Sequence, residues 1–158
     1  MGKLIVKKFG GTSVADAERI ESVADNIETE IQKGNKVTVV LSAMGKSTDE
    51  LIALAKEINP EPDLREYDAL VSTGEQISVA LLAMALLKRG IKGKSYTAYQ
   101  LGIKTNSSHS RARIQEVEVS KITSELNEGV VPVITGFQGM NEKGDITTLG
   151  RGGSDTTG

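Results

Sequence analysis

Several residue types that support common protein functions are scarce or missing in this 158-residue sequence. It has no cysteine, which excludes disulfide bonds and thiolate metal sites. A single histidine, His109, excludes the usual multi-histidine metal clusters, and we predict no metal site built from the protein alone. The sequence has no run of 18 apolar residues, and the apolar stretch at 4–6 is too short for a signal peptide. We therefore expect a cytoplasmic protein that does not bind membranes.

Neither sign of charge dominates the sequence. Lysine and arginine total 19, aspartate and glutamate total 21, and the two signs are interspersed, so nothing suggests a nucleic-acid-binding surface. Apolar residues make up 38% and charged residues 25% of the chain, as in soluble globular proteins. The length allows one domain with a substantial core and is too short for two ordinary domains.

The first forty residues predict a βαβ unit. Residues 3–8 are predicted to form a short buried strand, and residues 36–41 a second one. Between them, apolar residues recur at steps of three and four, which predicts an amphipathic helix over 16–33 that ends at Gly34. Strand, helix and strand of these lengths predict parallel pairing and a right-handed crossover.

The rest of the chain continues this alternation of helices and strands. We predict helices at 49–58, 64–70, 76–89 and 120–127, and strands at 94–98 and 130–135. Residues 105–113 are predicted to form a polar loop, and residues 140–149 a hairpin that turns at 142–145. A glycine-rich loop at 150–158 is predicted to open another helix. Pro132 fits its strand only near the sheet edge or at the start of the strand.

Two familiar phosphate-binding motifs are absent. Residues 45–47 resemble the end of a P-loop, but that motif requires glycine at position 40, which is valine. The dinucleotide pattern G-x-G-x-x-G fails after Gly150, because its last glycine position is occupied by Asp155.

Four other loops carry residues suited to binding an anionic substrate. Three follow predicted strands, whose carboxyl ends gather at one edge of a parallel sheet, and the fourth lies between two helices. Paired glycines between a strand and a helix start expose backbone N–H groups to an anion. The candidate residues are Lys8, Gly10, Gly11 and Ser13 in the first loop, Ser42, Lys46 and Thr48 in the second, Ser72, Thr73 and Glu75 between the helices, and Arg151, Gly152, Gly153, Ser154 and Asp155 in the last.

The sequence of these loops resembles the aspartokinase family, within the amino acid kinase superfamily. The motifs are KFGGTS at 8–13, SAMGKSTD at 42–49, STGE at 72–75, GFQG at 136–139 and TTLGRGGSDTT at 147–157. They agree with the family in order and spacing over nearly all of the chain. The family usually has alanine at the position of Gly158.

The resemblance implies a fold, a reaction and a domain organisation. The fold is a three-layer αβα sandwich around a largely parallel sheet, with its C-terminal half missing. The reaction is phosphorylation of L-aspartate by ATP with Mg²⁺ to 4-phospho-L-aspartate, the entry to lysine, threonine and methionine synthesis. Residues 1–158 would be the N-terminal portion of one amino acid kinase domain, without the regulatory ACT domains, and the parent would be a homo-oligomer.

The resemblance also implies a role for each candidate residue. Lys8 and the amides of Gly10 and Gly11 would stabilise the transferred phosphoryl group, with Ser13 and Ser42 beside the nucleotide. Asp155 would orient Lys8 or bind the substrate ammonium. The residues expected to contact aspartate are Thr48, Glu75, Arg151, Gly152, Gly153 and Ser154.

Simpler roles remain open for several of these residues. Glu75 could be the partner of Ser72 in a capping box, and Thr48 could be a helix N-cap. His109 is most simply a loop residue, and Lys46 a solvated one. The fragment could be catalytically inactive and only bind aspartate or phosphate, or the parent could phosphorylate glutamate, N-acetylglutamate or carbamate instead.

Overall fold

The first βαβ unit forms as the sequence predicts, but the expectation of a buried first strand was wrong: none of its residues is fully buried, whereas five of the six residues of the second strand are. In the computed structural model, which describes residues 2–150, strand β1 spans Leu4–Phe9, helix α1 Ala17–Gln32 and strand β2 Lys36–Leu41. The side chain of Asp16 caps the first turn of α1 by accepting a backbone N–H. The chain leaves the helix through Gly34, whose φ of 82° is the left-handed conformation that glycine adopts without strain.

Four more helices and six more strands follow within the described residues. They are α2 Ser47–Ile58, α3 Leu64–Val71, α4 Thr73–Lys88, β3 Gly93–Tyr96, β4 Ile103–Thr105, β5 Ile114–Val117, α5 Ser120–Asn127, β6 Val131–Thr135, β7 Gln138–Met140 and β8 Ile146–Thr148. Short 3₁₀ helices occupy Gly11–Val14 and Tyr99–Leu101. Helix α4 begins three residues before the predicted start.

The main sheet is parallel, with the strand order β1-β2-β6-β3. Strand β6 comes last in sequence but lies between β2 and β3. Pro132 is the second residue of β6, so it lies near the start of the strand as expected, although that strand is interior rather than at the edge. Its carbonyl oxygen accepts a hydrogen bond from the hydroxyl of Thr38 at 3.2 Å.

Helices cover both faces of the main sheet, which confirms the predicted three-layer αβα arrangement. Helices α1 and α4 pack on one face and form the larger core with β2 and β6. On the opposite face, Ile122 of α5 packs against Val40, Tyr96 and Ile134. Burial of this apolar surface is the main source of the domain's stability.

A second, smaller sheet has the order β5-β4-β7-β8. It contains an antiparallel hairpin, β7–β8, in which Gln138 lies opposite Thr148. The hairpin begins two residues before its predicted start at 140, and its turn includes the predicted residues 142–145. The predicted loop over 105–113 was wrong at its first residue, because Thr105 is the last residue of strand β4. Strands β4 and β5 were not predicted. Strands of three and four residues are too short to show an alternating pattern.

One helical segment among residues 2–150, Leu64–Lys88, could cross a membrane by its length and composition alone. It comprises α3 and α4, and 56% of its most apolar window is buried inside the protein. Burial of this kind is typical of a core helix, which passes the same test.

Candidate active site

The strand ends of the main sheet bring the first two candidate loops together. Lys8 lies beside Val40 in the register of β1 and β2. Beyond the strands, the amide of Ser42 donates to the carbonyl of Phe9 at 3.1 Å, and that of Gly136 donates to Leu41 at 2.9 Å. The loops after β1, β2 and β6 therefore start from one edge of the sheet, as the parallel arrangement predicts.

The two adjacent glycines of the first loop have different surroundings. A Cβ atom on Gly11 would lie 2.8 Å from the carbonyl oxygen of Ala43, so only glycine allows the two loops to approach this closely. The amide of Gly45 donates to the carbonyl of Gly11 at 3.0 Å and joins the loops. A Cβ atom on Gly10 would have no atom within 4 Å among the described residues. Gly11 thus joins the loops, and the backbone at Gly10 has room beside it for a ligand.

Lys7 and Lys8 point to opposite faces of the main sheet, because successive side chains of a strand alternate. The ammonium of Lys7 donates to Asn26 of α1 at 2.6 Å and lies 3.5 Å from Glu30 of the same helix. Lys8 therefore projects away from α1, and its side chain is exposed at the end of β1. Of the two lysines, only Lys8 is placed to act at the loops.

The start of helix α4 packs against the second loop. A Cβ atom on Gly74 would lie 2.9 Å from the Cβ of Ala43 and 3.8 Å from the hydroxyl oxygen of Thr48. The hydroxyl of Ser78 donates to the carbonyl of Ser42 at 2.8 Å. The structure thus brings Thr48 and the first turn of α4 together, as the candidate site requires.

Glu75 is a buried carboxyl group in that first turn, with only 3% of its surface exposed. Its Oε2 atom has no hydrogen-bond partner among the described residues. Burial raises the pKa of Glu75 to about 8, although hydrogen bonds from the backbone of Glu75 and Ala43 oppose the rise. A buried carboxyl group with an unpartnered oxygen is suited to receive a cation or a hydrogen-bond donor.

The simpler helix-capping roles of Glu75 and Thr48 are wrong. The hydroxyl of Ser72 donates to the carbonyl of Ala69 at 2.9 Å and does not cap α4, so Ser72 and Glu75 form no capping box. Helix α2 begins at Ser47, one residue before Thr48, and its N-cap residue makes no side-chain hydrogen bond. Thr48 therefore lies inside the first turn.

The β7–β8 hairpin is fastened to the other side of the helical turn. The side-chain amide of Gln138 donates to the carbonyl of Ser72 at 2.9 Å. On the neighbouring strand, the hydroxyl of Thr148 donates to Asp68 of α3 at 2.6 Å. The hairpin ends at Thr148, three residues before Arg151 in the sequence.

The roles assigned to the last loop stay predictions. Arg151, Gly152, Gly153, Ser154 and Asp155 lie outside the described residues. Ser13, Ser42 and Lys46 lie in the described loops, and their proposed contacts with a ligand also stay predictions.

Three buried polar residues around the helical turn were not predicted from the sequence: Asp68, Ser78 and Gln138. Asp68 did carry a signal, because it lies four residues after Leu64 and three before Val71, on the apolar stripe of α3. An acidic residue in such a stripe needs hydrogen-bond donors around it. His109 is not a plain loop residue, because its Nδ1 atom lies 2.9 Å from Asp68.

No group of three or more acidic, histidine or cysteine side chains within residues 2–150 could hold a metal ion. The exposed backbone at Gly10, with Lys8 beside it, suits a phosphate that carries its own metal. A metal brought by a nucleotide needs few protein ligands.

Comparisons with known proteins agree with this geometry. The model of the amino acid kinase family matches residues 3–158. An aspartokinase from Geobacillus stearothermophilus is 56% identical over 154 residues, which cover 98% of this chain and 38% of that protein. The chain thus spans well under half the length of the curated relatives it matches.

Solved structures of aspartate kinases have the same fold. The aspartate kinase from Synechocystis superposes with a TM-score of 0.84 at 47% identity, over 98% of this chain and 25% of that one. Aspartokinase III from E. coli, solved with aspartate and ADP, superposes with a TM-score of 0.84 at 28% identity, over 96% of this chain and 44% of that one.

Proposed function

The chain belongs to the amino acid kinase family, and we propose that it is the N-terminal portion of the catalytic domain of an aspartate kinase. The reaction would transfer the γ-phosphoryl group of ATP to the side-chain carboxylate of L-aspartate. One observation supports the proposal: the first two loops, which carry Lys8, Gly10 and Thr48, contact each other and the start of α4, which carries Glu75. The identity to aspartokinases makes aspartate the first acceptor to test.

The proposed reaction needs charge neutralisation more than it needs a base. The acceptor carboxylate has a reference pKa of about 4 and is already ionised at neutral pH. Phosphoryl transfer then depends on holding the two groups in line and on offsetting the charge of the phosphoryl oxygens. We assign this role to the ammonium of Lys8 and to the amides of Gly10 and Gly11. ATP would bring its Mg²⁺ to the site.

Glu75 would bind the ammonium group of aspartate. When no ligand is bound, burial keeps its pKa at about 8, and much of the carboxyl is protonated at pH 7. An ammonium group beside it favours the charged form, so we expect binding to release a proton. Arg151 would hold a carboxylate of the substrate as a bidentate partner, and Gly152, Gly153 and Ser154 would line the same loop. Asp155 would orient Lys8 or assist Glu75.

The remaining parts of the proposal concern the whole protein. We propose a cytoplasmic enzyme of amino-acid biosynthesis that acts as a homo-oligomer, with residues 1–158 forming part of a single kinase domain. Because the matched relatives are much longer, we expect the 158-residue chain alone to bind ligands without turnover.

A chimaera tests the acceptor. Residues 1–158 replace the matching segment of the Geobacillus stearothermophilus aspartokinase, and ATP-dependent phosphorylation is measured with L-aspartate, L-glutamate, N-acetyl-L-glutamate and carbamate. We expect turnover of aspartate alone. Turnover of glutamate or N-acetylglutamate without aspartate would refute the proposal and favour a sibling kinase.

The isolated 158-residue chain is assayed in parallel with hydroxylamine to trap acyl phosphate. Robust turnover by this chain would contradict the expectation that it is inactive. The Geobacillus enzyme without replacement serves as the positive control.

A further inference from the structure

Asp68 is a fully buried carboxylate on helix α3, and four donor groups surround it. The backbone amide of Ser110 lies 2.9 and 3.1 Å from its two oxygens. The amide of Thr148 lies at 3.0 Å and its hydroxyl at 2.6 Å. Nδ1 of His109 lies at 2.9 Å. A buried carboxylate is stable only with such donors, and their number makes Asp68 a well-defined anchor.

The donors come from two segments that are distant in sequence. His109 and Ser110 belong to the loop over 106–113, and Thr148 ends strand β8. The two segments also touch each other, because the amide of Ala112 donates to the carbonyl of Thr148 at 2.9 Å. A Cβ atom on Gly150 would lie 3.4 Å from the carbonyl oxygen of Ser110. Asp68 therefore lies where the chain leaves the hairpin.

The backbone of Ser110 is strained, so contacts around it must stabilise this turn of the loop. Ser110 has a φ of 63°, a left-handed conformation that costs free energy for a residue other than glycine. Its amide donates to Asp68, which offsets part of that cost. The loop thus keeps a strained turn beside Gly150, and Asp68 is the group that stabilises it.

Contacts other than those of Asp68 also hold the hairpin. Gln138 already bonds the carbonyl of Ser72, and the hydroxyls of Thr105 and Thr147 lie 2.5 Å apart across the small sheet. Asp68 also fixes Thr148, the last residue of β8, relative to helix α3. Helix α3 leads directly into α4, which carries Glu75.

We propose that Asp68 is a positioning residue for the substrate loop. By fixing Thr148 and Ser110, it holds the end of the hairpin, from which the chain continues through Leu149 and Gly150, against helix α3, which leads into the helix that carries Glu75. This inference rests on the proposed function, because it matters for catalysis only if Arg151 and its neighbours bind the substrate. Asp68 itself does not touch substrate.

The first test is Asp68→Asn in the chimaera. The asparagine NH₂ group cannot accept the hydrogen bonds that one carboxylate oxygen receives, so one of the two segments must shift. We expect the KM for aspartate to rise at least about tenfold, while the KM for ATP stays within about twofold. Asp145→Asn is the matched control, because Asp145 joins the same hairpin to Arg65 of α3 at 2.7 Å but at the turn, away from Thr148. The control should change neither KM.

A second pair of variants keeps the proposal testable if Asp68→Asn does not fold. Thr148→Val removes only the hydroxyl donor, and Thr148→Ser retains it. We expect Thr148→Val to raise the KM for aspartate and Thr148→Ser to restore it. If Thr148→Val and Thr148→Ser behave alike, or if Asp68→Asn raises both KM values equally, Asp68 is only structural and the proposal is overturned.

Hydrogen exchange separates this proposal from the proposed function. In Asp68→Asn, amides at 108–112 and 148–150 should exchange faster than in the wild type, whereas Asp145→Asn should affect only the hairpin turn. Unchanged exchange at 108–112 and 148–150 would overturn the positioning role, whatever the acceptor. Loss of aspartate turnover in the unsubstituted chimaera would instead refute the proposed function.

Discussion

At the scale of single residues, two adjacent lysines show how strand geometry gives identical side chains different surroundings. Lys7 is bonded to α1, and Lys8 projects from the other face of β1 at the loops. Both carry the same charge and lie at the same strand end. Only their direction differs, and direction is set by the alternation of side chains in a strand.

We expect Lys8→Met to lower kcat of the chimaera by about 100-fold or more, because it removes a cation from the transferred phosphoryl group. Lys7→Met is the matched control and should lower kcat by less than about threefold. Steady-state kinetics with saturating ATP and aspartate measure both. Equal losses in the two variants would contradict the assignment of Lys8.

Glu75 should make the stability of the isolated chain fall with rising pH. Its folded-state pKa is about 8, against an ordinary value of 4.5, so between these values the folded protein holds a proton that the unfolded chain has lost. The free energy of unfolding should therefore fall as pH rises from 4.5 to about 8, by at most about 1.4 kcal/mol per pH unit. Urea unfolding at several pH values measures the slope.

Glu75→Gln should remove this contribution, so the variant gains stability relative to the wild type as pH rises. The exposed Glu57→Gln serves as the control and should leave the slope unchanged. Parallel stability curves for the wild type and Glu75→Gln would show that Glu75 titrates normally.

The roles and contacts of single residues were only partly predictable from the sequence. Lys8 and Glu75 could be assigned because they lie in motifs with recognisable order and spacing. The contacts of Asp68 with Thr148 and of Gln138 with Ser72 could not be predicted, because the partners are 80 and 66 residues apart in sequence. Contacts of that separation depend on the tertiary fold, which no local pattern records.

At the scale of elements, the site depends on how closely two loops can approach. Gly11 and Ala43 are in contact through their backbones, and Gly74 brings helix α4 against the same loop. Glycine is required at these two positions by lack of space. The motif pattern drew attention to both Gly10 and Gly11, and in the structure a Cβ atom on Gly11 would meet the second loop, whereas one on Gly10 would meet none of the described residues within 4 Å.

Replacing each glycine of the first loop by alanine should show this difference. Gly11→Ala places a methyl group 2.8 Å from a backbone oxygen and should cost about 1–3 kcal/mol of stability. Gly10→Ala meets no neighbour within 4 Å among residues 2–150 and should cost less than about 1 kcal/mol. Thermal unfolding measures both losses. A Gly10→Ala variant as unstable as Gly11→Ala would contradict the described geometry.

Element boundaries were predictable where the sequence pattern was long. Helix α1 and strands β1, β2 and β6 lie within a few residues of their predicted bounds, because each has a clear apolar period or an apolar run. Strands β4 and β5 have three and four residues, and they are strands because of their neighbours in the small sheet. Short pairing of this kind is set by tertiary context rather than propensity.

At the scale of the whole molecule, apolar side chains are exposed at several places, and two of these are considered as sites of association. One is strand β1, which pairs only with β2 among the described strands and exposes Leu4 and Val6. The other is the outer side of α4, with Ile77, Met84 and Leu87. Exposed strand edges and apolar patches are typical sites of association.

We expect the 158-residue chain to self-associate, with an apparent mass that rises with concentration in light scattering. Replacing Leu4 and Val6 by lysine should weaken association through the strand edge, because like charges repel there. Replacing Met84 and Leu87 by lysine tests the helix surface in the same way. A clean monomer across all concentrations would contradict this expectation.

The position of β6 between β2 and β3 has a consequence for synthesis on the ribosome. The strand at Val131–Thr135 is translated after both of its neighbours, so a nascent chain that ends before it has β3 without its partner. The sheet is completed only when this late strand inserts between two earlier ones, and until then apolar strand surface stays uncovered. The edge of the sheet that carries the candidate loops is therefore completed late, when β6 inserts between β2 and β3.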